Sequence, residues 1–198
     1  MRDVEVEVRS FCNFTSKSYI RYLEHNNFNM AIELRAWTLA DVKDLVTLCN
    51  SVDRSYLSDR LPYPYIDEDA KRWLNMVVQN DSVTGVYRAI IVDGHTVGSI
   101  SVEQKNDVYQ IDGEIGFMLH DKYWNKGIMT EAVKQISMIA FRKLPLERIT
   151  ANVFQPNIAS IHVLRKIGFI HEATLRNAVI KKGKIFNLCI FGLVKQHP

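Results

Sequence analysis

Two spacings of apolar residues alternate along this chain, and each marks a different kind of element. Val86–Val92 and Thr96–Glu103 are apolar-rich runs joined by Asp93-Gly94, a two-residue connection that predicts a tight hairpin. Asn106-Asp107 supplies the next turn, and Val108–Ile111 leads into the mostly apolar run Glu114–Leu119. The middle of the chain therefore reads as an antiparallel meander, with Ile32–Trp37 as an earlier first strand. Two helices are predicted between that strand and the meander. Val42, Leu45, Val46 and Cys49 share one helical face behind a Thr38/Asp41 capping box. Ala70, Trp73, Leu74 and Val77 share another, opened by Asp67-Glu68-Asp69 at the positive end of the helix dipole. Leu61-Pro62-Tyr63-Pro64-Tyr65 between them reads as extended, because proline disfavours the helical region for the residue before it.

The second half repeats the alternation. Met129, Val133, Ile136 and Ala140 recur at gaps of four, three and four, and Pro145 closes that helical region. Arg148–Phe154 follows as a strand with Ile149, Ala151 and Val153 on one face. Asn157 opens a helix carrying Ile158, Ile161, Leu164 and Ile167, with Gly168 as its stop. Two last strands, about 171–180 and 184–194, flank Lys181-Lys182-Gly183. Before all of this, Val4, Val6 and Val8 alternate with charged residues, and Phe11, Phe14, Tyr19 and Tyr22 stand among polar ones. We divide the chain into an N-terminal extension, 1–31, and one domain, 32–198. The extension reads as a solvated or partner-covered segment, or as part of a dimer interface or substrate wall.

Composition narrows the function classes. The 198 residues suit a single α/β unit, and 47% hydrophobic content supplies a sizeable core. With 25 basic against 22 acidic residues the charge is too balanced to argue for nucleic acid. Cys12, Cys49 and Cys189 are odd in number and widely spaced, which suits a reducing compartment better than a disulfide framework or a zinc site. The charged start MRDVEVEVRS does not read as a secretory signal, and no apolar run approaches the ~20 residues of a membrane span. A cytoplasmic protein, with no metal and no membrane partner, is the expectation.

The chemistry concentrates in Glu114–Glu131, EIGFMLHDKYWNKGIMTE. A strand feeds a basic turn with one glycine, and the turn feeds a long helix. Helix N-termini offer free N–H groups and the positive dipole end to an anion, and glycine allows close backbone approach. A plain strand-to-helix connection would use the same glycine, and the segment lacks the GxxxxGK[ST] and GxGxxG signatures. Downstream stands Asn157-Ile-Ala-Ser160-Ile-His-Val-Leu164-Arg-Lys-Ile-Gly168-Phe169.

Taken together, these two strings resemble the GNAT superfamily of acetyl-CoA-dependent N-acetyltransferases. Trp124-Asn-Lys-Gly127-Ile-Met129 sits on the family's pyrophosphate loop, [Q/R]xxGx[G/A], with Met129 in place of its last small residue. Asn157–Phe169 sits on NxxSxxxLxKxGF, the form of the RimJ/RimL-like branch, which includes enzymes that acetylate ribosomal-protein N-termini. Tyr63-Pro64-Tyr65 and YWNKGIMTEA fit the same branch. The resemblance runs from about Ile32 to Lys195. It implies an α+β, three-layer fold with a mixed, mostly antiparallel sheet splayed at the cofactor site and flanked by helices.

The resemblance also implies roles. Acetyl-CoA would be the co-substrate, its pyrophosphate held by backbone from Asn125 through Lys126, Gly127, Ile128 and Met129 to Thr130, with Lys122 or Lys126 adding charge and Asn157 contributing. Phe117, Met118 and Leu119 would bond the pantetheine arm as a surrogate strand, and Tyr63, Tyr65 and Asp67 would border the acceptor amine. The family's usual tyrosine acid falls on Leu164, and a glutamate base of some members falls on Asn152. Asn187 and Phe191 replace an acceptor-side Asp and Tyr. Glu114 is left as the carboxylate for proton removal and Ser160 as the group near the departing sulphur. Glu114 as a strand-end carboxylate, Ser160 as a first-turn serine and Asp67 as a helix-start acid stay open beside these roles. His120 and His162 read as solvated rather than as bases. The expected function is acetylation of a primary amine, such as a protein or peptide N-terminus. Acetylation of a small-molecule amine and a non-catalytic acyl-CoA-binding or regulatory domain are the alternatives. A homodimer is left open, and a nucleic-acid partner is disfavoured.

Overall fold

The computed structural model describes residues 31–197. The extension expected over 1–31, with its strand-like Val4–Val8 pattern, lies outside them apart from Ala31. Ile32–Pro198 forms one compact unit.

The apolar runs became strands. β1 (Ile32–Ala36), β2 (Gly85–Val92), β3 (His95–Gln104), β4 (Asp112–Leu119), β5 (Arg148–Phe154), β6 (Ile170–Lys181) and β7 (Lys184–Val194) build one sheet in the order β1-β2-β3-β4-β5-β7-β6. Asp93 and Gly94 both take positive φ, 50° and 77°, as the β2–β3 hairpin turn requires. All neighbours are antiparallel except β4 and β5. Those two meet over only three pairs, Asp112 with Arg148, Gly113 with Ile149 and Glu114 with Thr150. Their remaining residues bond β3 and β7, on the outer sides. The sheet is thus joined at the base and open above Glu114.

Helices cover the two faces. α1 (Val42–Ser51) and α2 (Asp67–Asn80) bury Leu45, Leu48, Cys49, Ala70, Leu74 and Val77 with Trp37, Tyr87, Ala89 and Ile91. Residues at alternate strand positions share a face, so this is the face of Tyr87 and, directly across from it, Ser101. α3 (Ile128–Lys143) packs against β1, β2 and β3 and also touches α4 (Ile158–Lys166). Met129, Val133, Ile136 and Ala140 are all buried along it. One position departs from the predicted pattern. Ile158 is 54% exposed, whereas Ile161 and Leu164 of the same helix are buried. Ile158 is the first helical residue.

Candidate active site and cofactor cleft

Trp124 of the basic turn donates its indole N–H to the Leu119 carbonyl at 2.9 Å, fastening the turn to the end of β4. Asn125 and Gly127 both have left-handed backbone, φ 57° and 72°, which curls the chain directly into α3. Gly127 is the N-cap and has no side chain with which to cap the helix. Ile128 and Met129 are buried, and as the first two residues of α3 their N–H groups have no partner within the helix. Lys122, Asn125 and Lys126 are exposed there, and the Lys126 ammonium lies 5.2 Å from the Tyr123 ring centre. His120 faces Asp121 at 2.6 Å and accepts from the Lys122 amide, so it shapes the turn.

Phe117, Met118 and Leu119 lie on the part of β4 that has left β5 behind. A strand edge without a neighbouring strand presents unpaired N–H and C=O groups. Across the opening, Asn157 accepts from the Ser160 amide at 3.2 Å and so caps α4. Ser160 is half-buried in that first turn, and Leu164 below it is fully buried. The opening therefore lies between an uncapped helix start and a free strand edge. An extended substrate with a phosphate end and an amide-bearing arm fits both, so the residues present suit acetyl-CoA.

The carboxylates come next. Glu114 is exposed, the last β4 residue paired with β5, and directly opposite Glu103 on β3. Ser101 points its hydroxyl at Glu103 from 3.5 Å. On β5, Thr150 bonds Asp112 of β4 at 2.7 Å, which puts Thr150, Asn152 and Phe154 on the face of Glu114. Beneath, Asp112 also takes Lys105 at 2.6 Å and Arg148 at 3.5 Å. Arg148 reaches Glu172 at 2.7 Å, and that bond with the nearby acids keeps its guanidinium firmly charged.

The residues implied for the acceptor side separate. Tyr63 is 72% exposed, beneath the Arg54 guanidinium at 5.3 Å. Tyr65 is 5% exposed in the α1–α2 core, where burial raises the pKa of its phenol. Asp67 pairs with Lys43 at 2.6 Å. Cys49 is also buried there, and its thiol is pushed up to about 12 by that burial. Glu103 went unnoticed in the sequence, although the Asn106-Asp107 turn hinted at its register. Among the described residues, no group of His, Cys, Asp and Glu is placed to hold a metal.

The profile of the acetyltransferase (GNAT) domain matches residues 31–170. The chain belongs to the GNAT acetyltransferase family. It is 30% identical over 131 residues to the uncharacterized N-acetyltransferase p20 of Bacillus licheniformis, 66% of each chain. Against the spermidine N(1)-acetyltransferase of Escherichia coli K12 it is 29% identical over 102 residues, 50% of this chain and 54% of that one. In these alignments it spans about half to two thirds of its curated relatives' lengths. Among solved structures, the ribosomal L7/L12 α-N-protein acetyltransferase RimL, in complex with coenzyme A, superposes with a TM-score of 0.73 at 18% identity, over 82% of this chain and 93% of that one. The ribosomal-protein-S5-alanine acetyltransferase of Vibrio fischeri gives 0.72 at 22% identity, over 82% and 92%. Both likenesses establish that this GNAT chain shares their fold.

Proposed function

We propose that this GNAT chain moves the acetyl group of acetyl-CoA directly to a primary amine, within a complex that holds both. The observation that carries the reading is the parting of β4 from β5 above Glu114, beside the glycine-started helix α3. The α3 amides and Lys126 would hold the pyrophosphate, and the free edge at Phe117–Leu119 the pantetheine arm. A backbone N–H on that edge would meet the thioester oxygen as it gains charge, a contribution of ~2.7–4 kcal/mol for a preorganised donor. The amine attacks the acetyl carbon as its nitrogen–carbon bond forms and the carbon–sulphur bond breaks. Glu114 takes the proton that the amine loses, directly or through a water, and the Ser160 hydroxyl supports the departing thiolate. Holding the two reactants together supplies ~7–11 kcal/mol, which suits a site with Leu164 and Asn152 where stronger proton-transfer groups would stand.

The preferred acceptor in this reading is a peptide or protein α-amine. An α-amine has a pKa of about 7.7–8.0 and lysine about 10.4, so lysine carries roughly 3.4 kcal/mol of extra deprotonation cost at neutral pH. RimL and the S5 enzyme act, by their names, on ribosomal proteins, which supports the same preference. A cytoplasmic setting fits, since Cys49 and Cys189 are free thiols. Incubation with acetyl-CoA and a peptide bearing a free N-terminus and one internal lysine tests the reading. Mass spectrometry should place the acetyl group on the N-terminus. Acetyl on the lysine rejects the preference, and binding of acetyl-CoA without transfer to any amine rejects the enzyme.

A second reading, a small polycationic amine as acceptor, draws on the facing pair Glu103 and Glu114 and on the spermidine acetyltransferase relative.

A further inference from the structure

A buried phenol stands beside the carboxylates of the opening without a bond of its own. Tyr87 of β2 is 3% exposed, yet its hydroxyl has no hydrogen-bond partner among the described residues. The ring packs in the core under α1 and α2, where Trp73 meets it edge-on at 6.4 Å. It lies back along its own strand: a Cβ placed on Gly85 would stand 2.6 Å from its Cε2, Cζ and hydroxyl oxygen. Gly85 is directly opposite Glu103, and Glu103 is directly opposite Glu114. The hydroxyl therefore ends in the row of the two carboxylates, neither of which pairs with a cation among the described residues. Burying a hydroxyl unbonded is unfavourable, and a ligand that offers it an oxygen removes that cost.

The next row supplies the room. Tyr87, Ser101 and Gly116 stand directly across from one another on β2, β3 and β4. Gly116 is exposed, and a Cβ there would meet nothing nearer than the Ser101 hydroxyl at 3.8 Å. The space above Gly116 is thus bordered by two hydroxyls and two carboxylates. Ser101 reaches Glu103 only from 3.5 Å, so its hydroxyl has a donor to give. Burial first, then the charges of Glu103 and Asp81, push the Tyr87 phenol up to about 12, which keeps it a neutral donor. Gly85 and Glu114 are two strand spacings apart, about 9.6 Å. In a peptide the terminal nitrogen and the carbonyl oxygen of its own residue stand about 3 Å apart, and a hydrogen bond of about 2.8 Å at each end brings the span to roughly 9 Å. A polyamine offers these hydroxyls no carbonyl oxygen to receive their protons. A free amino acid would bring its carboxylate against Glu103 and Glu114.

The geometry points to Tyr87 as an acceptor-binding residue that donates, together with Ser101, to the carbonyl oxygen beside the amine of a peptide N-terminus, and to Gly116 as the residue that leaves room for that peptide unit. This rests on the acetyl transfer proposed above, and gives the contact by which the same site tells an α-amine from other amines. The amine stands at Glu114, and its first carbonyl lies over Ser101 and Gly116 with its oxygen toward Tyr87.

The test uses the full chain with the peptide Ala-Gly-Gly, with free alanine, and with propargylamine, an amine of similar basicity that has no carbonyl. Binding is read by calorimetry with coenzyme A present, and transfer is read separately. The peptide should bind at least about tenfold more tightly than either small amine, as two hydrogen bonds supply. Tyr87→Phe should raise KM for the peptide about threefold to tenfold, with the loss in KM rather than in kcat. Its KM for propargylamine should move less than twofold, and its Tm should not fall, because the hydroxyl bonds nothing within the described protein. Gly116→Val, for which the space is open, should weaken peptide binding at least about tenfold and leave coenzyme A affinity unchanged. Equal binding of peptide and propargylamine, an unchanged peptide KM in Tyr87→Phe, or equal rises for both amines would overturn the inference. Selective peptide binding that needs Tyr87, without any acetyl transfer, would keep the subsite and reject the proposed enzyme. Transfer to peptide and propargylamine alike would keep the enzyme and reject the subsite.

Discussion

Gly127 holds φ at 72°, where an L side chain costs roughly 1–2 kcal/mol. That strain is modest beside the charge effect of placing an acid at an anion site. Gly127→Glu is therefore expected to keep its circular dichroism spectrum and lose acetyl-CoA binding in calorimetry. Unchanged affinity in a folded variant would remove the cofactor from this turn. Glu114 and Ser160 make a separate pair of expectations, since both stand beside the opening while the cofactor is held by main chain. Glu114→Gln and Ser160→Ala should lower kcat, by ~10²–10⁴-fold where a proton-transfer group is lost, with acetyl-CoA affinity nearly unchanged. A kcat within about twofold of the parent for both variants returns them to structural roles. At this scale the sequence was legible where a residue acts through its neighbours in the chain. Asn157 capping Ser160 is such a case. Glu103 was not legible in the same way, because its partner Glu114 is set by strand register.

Among the elements, the entry to α1 makes the sharpest prediction. Thr38 donates both its amide and its hydroxyl to Asp41, and Arg35 of β1 adds two bonds at 2.7 and 3.0 Å. Burial alone would raise the Asp41 pKa, but the bonds from Arg35 and Thr38 outweigh it and hold the carboxyl below its ordinary value. A carboxylate with a depressed folded pKa adds stability above its unfolded value of about 3.9, and that stability is lost as pH falls through the lower folded value. Asp41→Ala should cost about 1.5–3 kcal/mol in urea unfolding at neutral pH, as loss of bonds to a charged group does. The gap to the parent should close on acidification below about pH 3.9. A gap that is the same in acid and at neutrality would show that the charge is not its source. The capping box and the helix stripe were both written in the sequence, since the box spans four residues and successive members of the stripe stand no more than three apart. The added grip of Arg35 was not, because it comes from a strand whose direction the local pattern does not give.

For the molecule as a whole, the sheet is two halves, β1–β4 and β5-β7-β6, joined by three residue pairs. Asp112 sits at that join with 8% exposure and gathers Lys105, Arg148 and Thr150 from three directions. Asp112→Ala should lower stability by about 1.5–3 kcal/mol, read as a fall in Tm. It should do so for the whole unit in one transition, since α3 packs on β1, β2 and β3 and also against α4 of the other half. Two separate transitions in calorimetry would mean that the halves fold apart. The sequence by itself determined the periodic elements, the β2–β3 hairpin, the glycine turn into α3 and the two motifs that resemble the GNAT family. Those features depend on residues close together in the chain, where spacing and backbone preference act directly. Tertiary structure alone decided that β4 and β5 part above Glu114, that Glu103 faces Glu114, that Tyr65 is core while Tyr56 meets Phe154, and that Lys181 reaches Asp59. Each of these depends on which distant segments share a sheet face, and a side chain's surroundings are fixed only when that packing is.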